Sequence, residues 1–181
     1  PVAEAEALYV NQLRLRDRLK HHSGEFVIWD VGLGAAANSL TVLRAAREIP
    51  TPIRLISFDN TTEPLEFALK NAGALGYFDG YESQAQALLD QRAIHFPNDA
   101  HAVNWQFHHG DFPTLLTQPL APTLPKPHAI LFDAFSPAKN PTMWSLPLFS
   151  KLFQLLDPHR PCALPTYSRS TIMRVTLLLA G

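Results

Sequence analysis

Four short, mostly apolar runs in this chain close at or beside an aspartate, and that arrangement constrains the fold more than any other feature. The first is Phe26-Val27-Ile28-Trp29-Asp30-Val31; the others cover residues 53–58, 103–109 and 128–132 and close on Asp59, Asp111 and Asp133. Runs of this length and character read as strands of a buried sheet. Helical periodicity fills the intervals between them, over 38–48, 63–72 and 81–93, and returns at 145–156. Strands alternating with helices require a parallel sheet joined by right-handed crossovers, so the expected architecture is an α/β doubly wound domain. Ligands of such sheets sit beyond the carboxyl ends of the strands, where the four aspartates stand.

A helix is predicted over 3–22, with Ala5, Leu8, Gln12, Leu15 and Leu19 at helical spacing. Arg14, Arg16, Arg18 and Lys20 lie mostly around its other face, where the plain reading is a solvated surface and the functional one an auxiliary basic patch. Residues 1–24 are thus expected to form a helical segment ahead of a domain over 25–181. Thr61 or Thr62 should cap the helix at 63–72, with Pro64 in its first turn. Residues 73–80 read as irregular and 119–127 as a proline-rich loop. A fifth strand, weakened by Pro165, is expected at 161–167, followed by a last helix at 168–180.

The 46% of hydrophobic residues suffices for a full core, and 15 basic against 16 acidic residues leave a formal charge of −1. No net basic field draws in nucleic acid, so such a partner must meet a local patch. The single cysteine, Cys162, excludes an intrachain disulfide and a multi-cysteine zinc site. His21-His22 and His108-His109 are adjacent pairs whose side chains diverge, so no metal is expected. No apolar run approaches the roughly 18 to 20 residues that span a bilayer, and no signal-peptide pattern opens the chain. A soluble, cytoplasmic domain with no membrane partner is the expectation. The chain starts at Pro1 without a methionine and stops at Gly181 just after an apolar helical run, which points to a fragment.

The turn after the first strand, Asp30 to Asn38, admits two functions. Gly32-x-Gly34-x-x-Ala37 fits the dinucleotide fingerprint, in which glycines let the backbone approach a pyrophosphate. It also fits a turn that admits the methionine and ribose of S-adenosylmethionine. Asp30 favours the second, because a carboxylate repels a pyrophosphate and suits an ammonium or a sulfonium. Under either reading Asp59 is placed to accept ribose hydroxyls. Asp111 could accept from an adenine amino group, with Phe112 or a neighbouring apolar side chain against the ring. Each aspartate also has an ordinary use as a turn former or helix cap. The stiffest stretch is the loop after the fourth strand, where Pro137 and Pro141 bracket Ala138-Lys139-Asn140.

That loop, Asp133-Ala-Phe-Ser-Pro-Ala-Lys-Asn-Pro-Thr-Met-Trp144, closely resembles the Asp-Gly-Phe-Ala-Pro-Ala-Lys-Asn-Pro-x-Met-Trp loop of the MnmC-type methyltransferases. The glycine turn is similar to that family's Gly-Phe-Gly-x-Gly-x-Asn, Ile56-Ser57-Phe58-Asp59 to its Ile-Ser-Phe-Glu, and Gly110-Asp111 to its Gly-Asp. Thr166-Tyr167-Ser168 resembles its Thr-Phe-Thr/Ser, and 174–181 the helix that follows. The resemblance implies a Rossmann-like class I methyltransferase fold with strand order 3-2-1-4-5, lacking its final strands here. It implies S-adenosylmethionine as cofactor and tRNA as partner, the 5-aminomethyl group of a wobble uridine being N-methylated. Gly32, Gly34 and Asn38 would line the donor pocket with Asp30 and Phe112 beside them. Asp59 would take the ribose, Asp111 the adenine, and Asp133 would face the acceptor amine as the catalytic residue. Phe135, Lys139, Asn140, Arg169 and Arg174 are the candidate substrate contacts, the two arginines for phosphate.

Ala36 and Ala134 stand where the family has glycine, so either could tighten the pocket, and His159-Arg160-Pro161 replaces a glycine-rich turn. The flavin-dependent domain fused to some members has no counterpart here, so no FAD is implied. Competing readings are a methyltransferase for another amine, a degenerate module that holds the donor without turnover, and, more distantly, an NAD dehydrogenase.

Overall fold

The computed structural model describes residues 2–134, 139–166 and 171–181, without the side chains of Thr171 and Ile172. The amino-terminal segment holds α1 (Val2–Ala5), a π-helical stretch (Glu6–Gln12) and α2 (Leu15–Lys20). Then follow β1 (Phe26–Val31), α3 (Ala37–Ala46), β2 (Ile53–Asp59), α4 (Glu63–Lys70), α5 (Ala72–Leu75) and α6 (Glu82–Gln91). The remainder is β3 (Ala93–Asn98), β4 (His101–His109), α7 (Phe112–Leu115), β5 (Ala129–Phe132), α8 (Leu146–Gln154) and α9 (Thr171–Ala180).

The sheet runs β3-β4-β2-β1-β5. β4, β2, β1 and β5 are parallel, and only β3 is antiparallel, to β4. The first four strands expected from the sequence are β1, β2, β4 and β5, and they have the expected neighbours. This is the Rossmann-like α/β architecture.

Three expectations are corrected. The helix predicted over 3–22 is broken. Leu13 N–H reaches back five residues to Leu8 O at 3.1 Å, and Arg14 adopts a left-handed conformation at φ 53°. The break lets Leu8, Tyr9, Val10, Leu13, Leu15 and Leu19 all be buried, more than one straight stripe can hold, while Gln12 faces solvent. Its basic residues are exposed, as expected: Arg14 pairs with Asp17, Arg16 with Glu6, and Arg18 Nε donates to Leu13 O.

The second correction is β3, for which the sequence reading has no strand: its helix runs to residue 93 and its next strand begins at 103. Arg92, left-handed at φ 65°, ends α6, and Asp99 at φ 53° turns the chain into a hairpin with β4. Pro97 is tolerated because β3 is an edge strand. Third, the fifth strand expected at 161–167 is one parallel bridge, Ala129 to Ala163, within the described residues. Pro161 and Pro165 carry no N–H with which to extend a ladder.

Both faces of the sheet are covered, and all six residues of β1 are buried. Val27, Trp29 and Val31 enter the core shared with α7, α8 and α9, while Phe26 and Ile28 enter the core shared with α2, α3 and α6. Period-two alternation therefore sends the Asp30 side chain to the α3 face, beneath the turn. Among the described residues no helix is long and apolar enough to cross a membrane.

Candidate functional site

The carboxyl ends of β1, β2, β4 and β5 open on a cavity of about 380 Å³, within the roughly 300–1,000 Å³ usual for small-molecule sites. Its wall brings together Gly32, Gly34 and Asn38 after β1, Asp59 at the end of β2, Asp111 and Phe112 after β4, and Asp133 and Asn140 after β5. Four βα turns thus converge. A wider, open hollow of about 710 Å³ lies between α4 and α6 and contains none of these residues.

The glycine turn is built by close approach. Gly32 has φ +94°, and a Cβ there would come within 2.7 Å of the Asp133 carbonyl oxygen, so only glycine lets the β5 turn lie against the β1 turn. Gly34, at φ +52°, donates its N–H to Asp59 Oδ2 at 2.8 Å, and Thr61 N–H donates to Asp59 Oδ1 at 3.1 Å. Asp59 therefore secures the turn and its own loop, while each oxygen keeps a second acceptor position for a hydroxyl. Ala36 does not tighten the cavity. Its backbone is left-handed at φ 61°, and its methyl is buried in the core cluster with Leu33 and Leu40. Ala134 does stand on the wall.

Asp133 is exposed to the cavity, and Asn38 Nδ2 donates to its Oδ2 at 2.8 Å. Asp111 caps α7: its Oδ2 accepts from Thr114 N at 3.1 Å and from Thr114 Oγ1 at 2.7 Å. The capping role common to aspartates is real here, and it also fixes the carboxylate at the wall. Phe112 is buried beside it, edge-on to Phe58 with ring centres 5.0 Å apart.

Asp30 is not on the wall. It is wholly buried, and its Oδ2 accepts from Ser39 Oγ at 2.5 Å and Ser57 Oγ at 2.9 Å. Burial pushes its carboxyl up to about 7; the two serine hydrogen bonds hold it down in part, and the Asp133 and Asp59 charges add to the rise. It props the turn from below, because strand alternation turns it away from the cavity. Lys139 and Arg174 are exposed and off the wall; Phe135 and Arg169 lie outside the described residues.

Sequence reasoning missed Glu4, Thr61, Pro64 and Met143 on the wall. Glu4 belongs to the segment read as preceding the domain, and it reaches the cavity because α1 packs against α3. The wall carries four carboxylates (Glu4, Asp59, Asp111 and Asp133) and no lysine, arginine or histidine among the described residues. A cleft of one sign focuses its field, so this one attracts a cation or an amine and repels a pyrophosphate. Among the described residues no three His, Cys, Asp or Glu side chains come together as a metal ion requires.

A family profile described as S-adenosyl-L-methionine-dependent methyltransferase matches residues 81–181. The chain is 30% identical, over 198 aligned positions, to the tRNA 5-methylaminomethyl-2-thiouridine biosynthesis bifunctional protein MnmC of Aeromonas hydrophila. It is 27% identical to the protein of the same name from Aeromonas salmonicida. Each alignment takes in 99% of this chain and 28% of the relative, so the chain spans little more than a quarter of their length. The crystal structure of MNMC2 from Aquifex aeolicus has a similar fold, with a TM-score of 0.73 and 23% identity over 99% of this chain and 55% of that one.

Proposed function

Because the chain belongs to the S-adenosyl-L-methionine-dependent methyltransferase family, we propose that it N-methylates the 5-aminomethyl group of a modified wobble uridine in tRNA. The observation that carries the reading is a cavity wall whose charged residues, among those described, are all acidic, which suits a cationic donor and an amine acceptor and not a dinucleotide. The glycine cradle at Gly32, the acceptor positions left on Asp59 and the aromatic ring beside Asp111 fit the donor chemically. The names of the Aeromonas relatives supply the tRNA and the methylaminomethyl group.

Gly32 and Gly34 admit the donor against bare backbone. Asp59 accepts the ribose hydroxyls, and Asp111 accepts from the adenine amino group with Phe112 at the ring. When bound, the donor supplies a methyl group activated by its sulfonium. Asp133 accepts a hydrogen bond from the acceptor amine and turns its lone pair into the cavity; alignment of this kind is the main requirement of a displacement at carbon. The same charge stabilises the ammonium product, yet it also holds a proton on the free amine, so orientation precedes proton acceptance in its role. Asn140, on the wall, and Phe135, Lys139, Arg169 and Arg174 are assigned to the tRNA. A tRNA substrate sets the reaction in the cytoplasm.

The test is transfer of labelled methyl from S-adenosylmethionine to tRNA from cells that leave the aminomethyl group unmethylated. Asp133→Asn should lower the rate about 100-fold, the lower end of what a positioned acid or base contributes. Undiminished transfer by that variant removes Asp133 from the mechanism. Wild-type protein that labels small amines and never tRNA overturns the tRNA reading.

A further inference from the structure

Asn38 stands on the cavity wall beside the glycine turn, where a contact with the donor is the simplest assignment. Its hydrogen bond points elsewhere. The Nδ2 group lies 2.8 Å from Asp133 Oδ2 and joins residues 95 apart in sequence. A carboxylate only accepts, so the amide must present its NH2 group to it. Asp133 is held at its main chain too, its N–H donating to Val31 O at 2.9 Å and its carbonyl lying against Gly32. With the backbone fixed, the remaining freedom of an exposed carboxylate is rotation about its two side-chain torsions, the last of which is broad and nearly two-fold. The Asn38 amide removes that freedom by holding one oxygen. Oδ1 has no hydrogen-bond partner among the described residues.

We propose that Asn38 is a positioning residue that holds the Asp133 carboxylate, leaving Oδ1 for the acceptor amine, and that it does not bind the methyl donor. This rests on the role given to Asp133 above.

Three measurements test it. In the free protein, the Asn38 side-chain amide resonances, assigned by their loss in Asn38→Ala, should shift when Asp133 is replaced by alanine; unmoved resonances overturn the contact. Calorimetry with S-adenosylmethionine should give Asn38→Ala a Kd within about threefold of wild type, whereas weakening beyond about tenfold makes Asn38 a donor contact and overturns the proposal. In turnover, Asn38→Ala should lower kcat about 10- to 100-fold, the scale of one lost charge-assisted hydrogen bond, and should cost nothing further in an Asp133→Ala background. Additive losses overturn it.

Asn38→Asp supplies a signature that a purely structural role would not move. Protonated, the new carboxyl donates to Asp133 as the amide does; ionised, it repels it. The ratio of Asn38→Asp to wild-type kcat should therefore fall as pH rises, while the Asn38→Ala ratio stays level. A level Asn38→Asp ratio overturns the proposal. If wild-type protein methylates no tRNA, the function reading fails by itself, and the resonances and the donor Kd still decide the contact.

Discussion

Asp30 and His128 are perturbed in opposite directions. Burial pushes the Asp30 carboxyl from 3.8 up to about 7. Burial, with the Arg160 and His22 charges, pushes His128 from 6.5 down to about 4, and its Nδ1 accepts from Val27 N–H at 2.9 Å. The folded chain holds the Asp30 proton more tightly than the unfolded chain does. That contribution to stability is complete below pH 3.8 and is lost as pH rises to about 7. For His128 the folded chain resists the proton, so the contribution is complete above pH 6.5 and is lost as pH falls towards about 4. Between those limits the two offset each other. Asp30→Asn retains an acceptor for Ser39 and Ser57 and removes one side of the balance. Its Tm should rise with pH between 4 and 6.5, and its advantage over wild type should grow up to pH 7 and then stay constant. Thermal denaturation across this range reads both; an advantage equal at pH 4.5 and pH 8 contradicts the assignment.

At the scale of elements, α7 is a single turn, and its cap does two things. Asp111→Ser keeps an N-cap hydroxyl and shortens the side chain at the wall. Its Tm should stay within a few degrees of wild type while donor affinity falls about tenfold, one hydrogen bond's worth; Asp111→Ala should lose about 1 kcal/mol of stability as well. Calorimetry beside thermal denaturation separates the two, and unchanged donor affinity in Asp111→Ser would place the adenine elsewhere.

The parallel core of the sheet and the convergence of Asp59, Asp111 and Asp133 were legible because strand length, apolar character and turn chemistry are local signals. What was not legible was set by tertiary partners. β3 exists because β4 offers an edge to Ala93–Asn98, and Pro97 argues against a strand in any local reading. The break at Arg14 follows from how many apolar side chains the core takes from one segment. Asp30 was read as a donor contact from its place in the sequence, yet the side to which a strand residue points is decided by its sheet, and here that side is α3.

Across the whole molecule, the described residues read here as site residues gather at one end of the sheet, while its two faces are packed mainly with apolar residues. The α1 segment closes that end with Glu4, so part of the wall comes from outside the strand–turn–helix units. The acidic wall does not attract the phosphates of a nucleic acid, so under the proposed function these meet cations off the wall, for which the exposed Lys139 and Arg174 are the candidates. The proposed reading, donor in the acidic cleft and phosphates outside it, is a division by charge that the placement of the four carboxylates supports. The central claim is that the cavity at the strand ends seats the methyl donor. The most direct measurement is a crystal structure with S-adenosylhomocysteine. The account predicts ribose hydroxyls within hydrogen-bond distance of Asp59 and the adenine between Phe112 and the Asp111 carboxylate. A nucleoside bound in the hollow between α4 and α6, with the strand-end cavity empty, would contradict it.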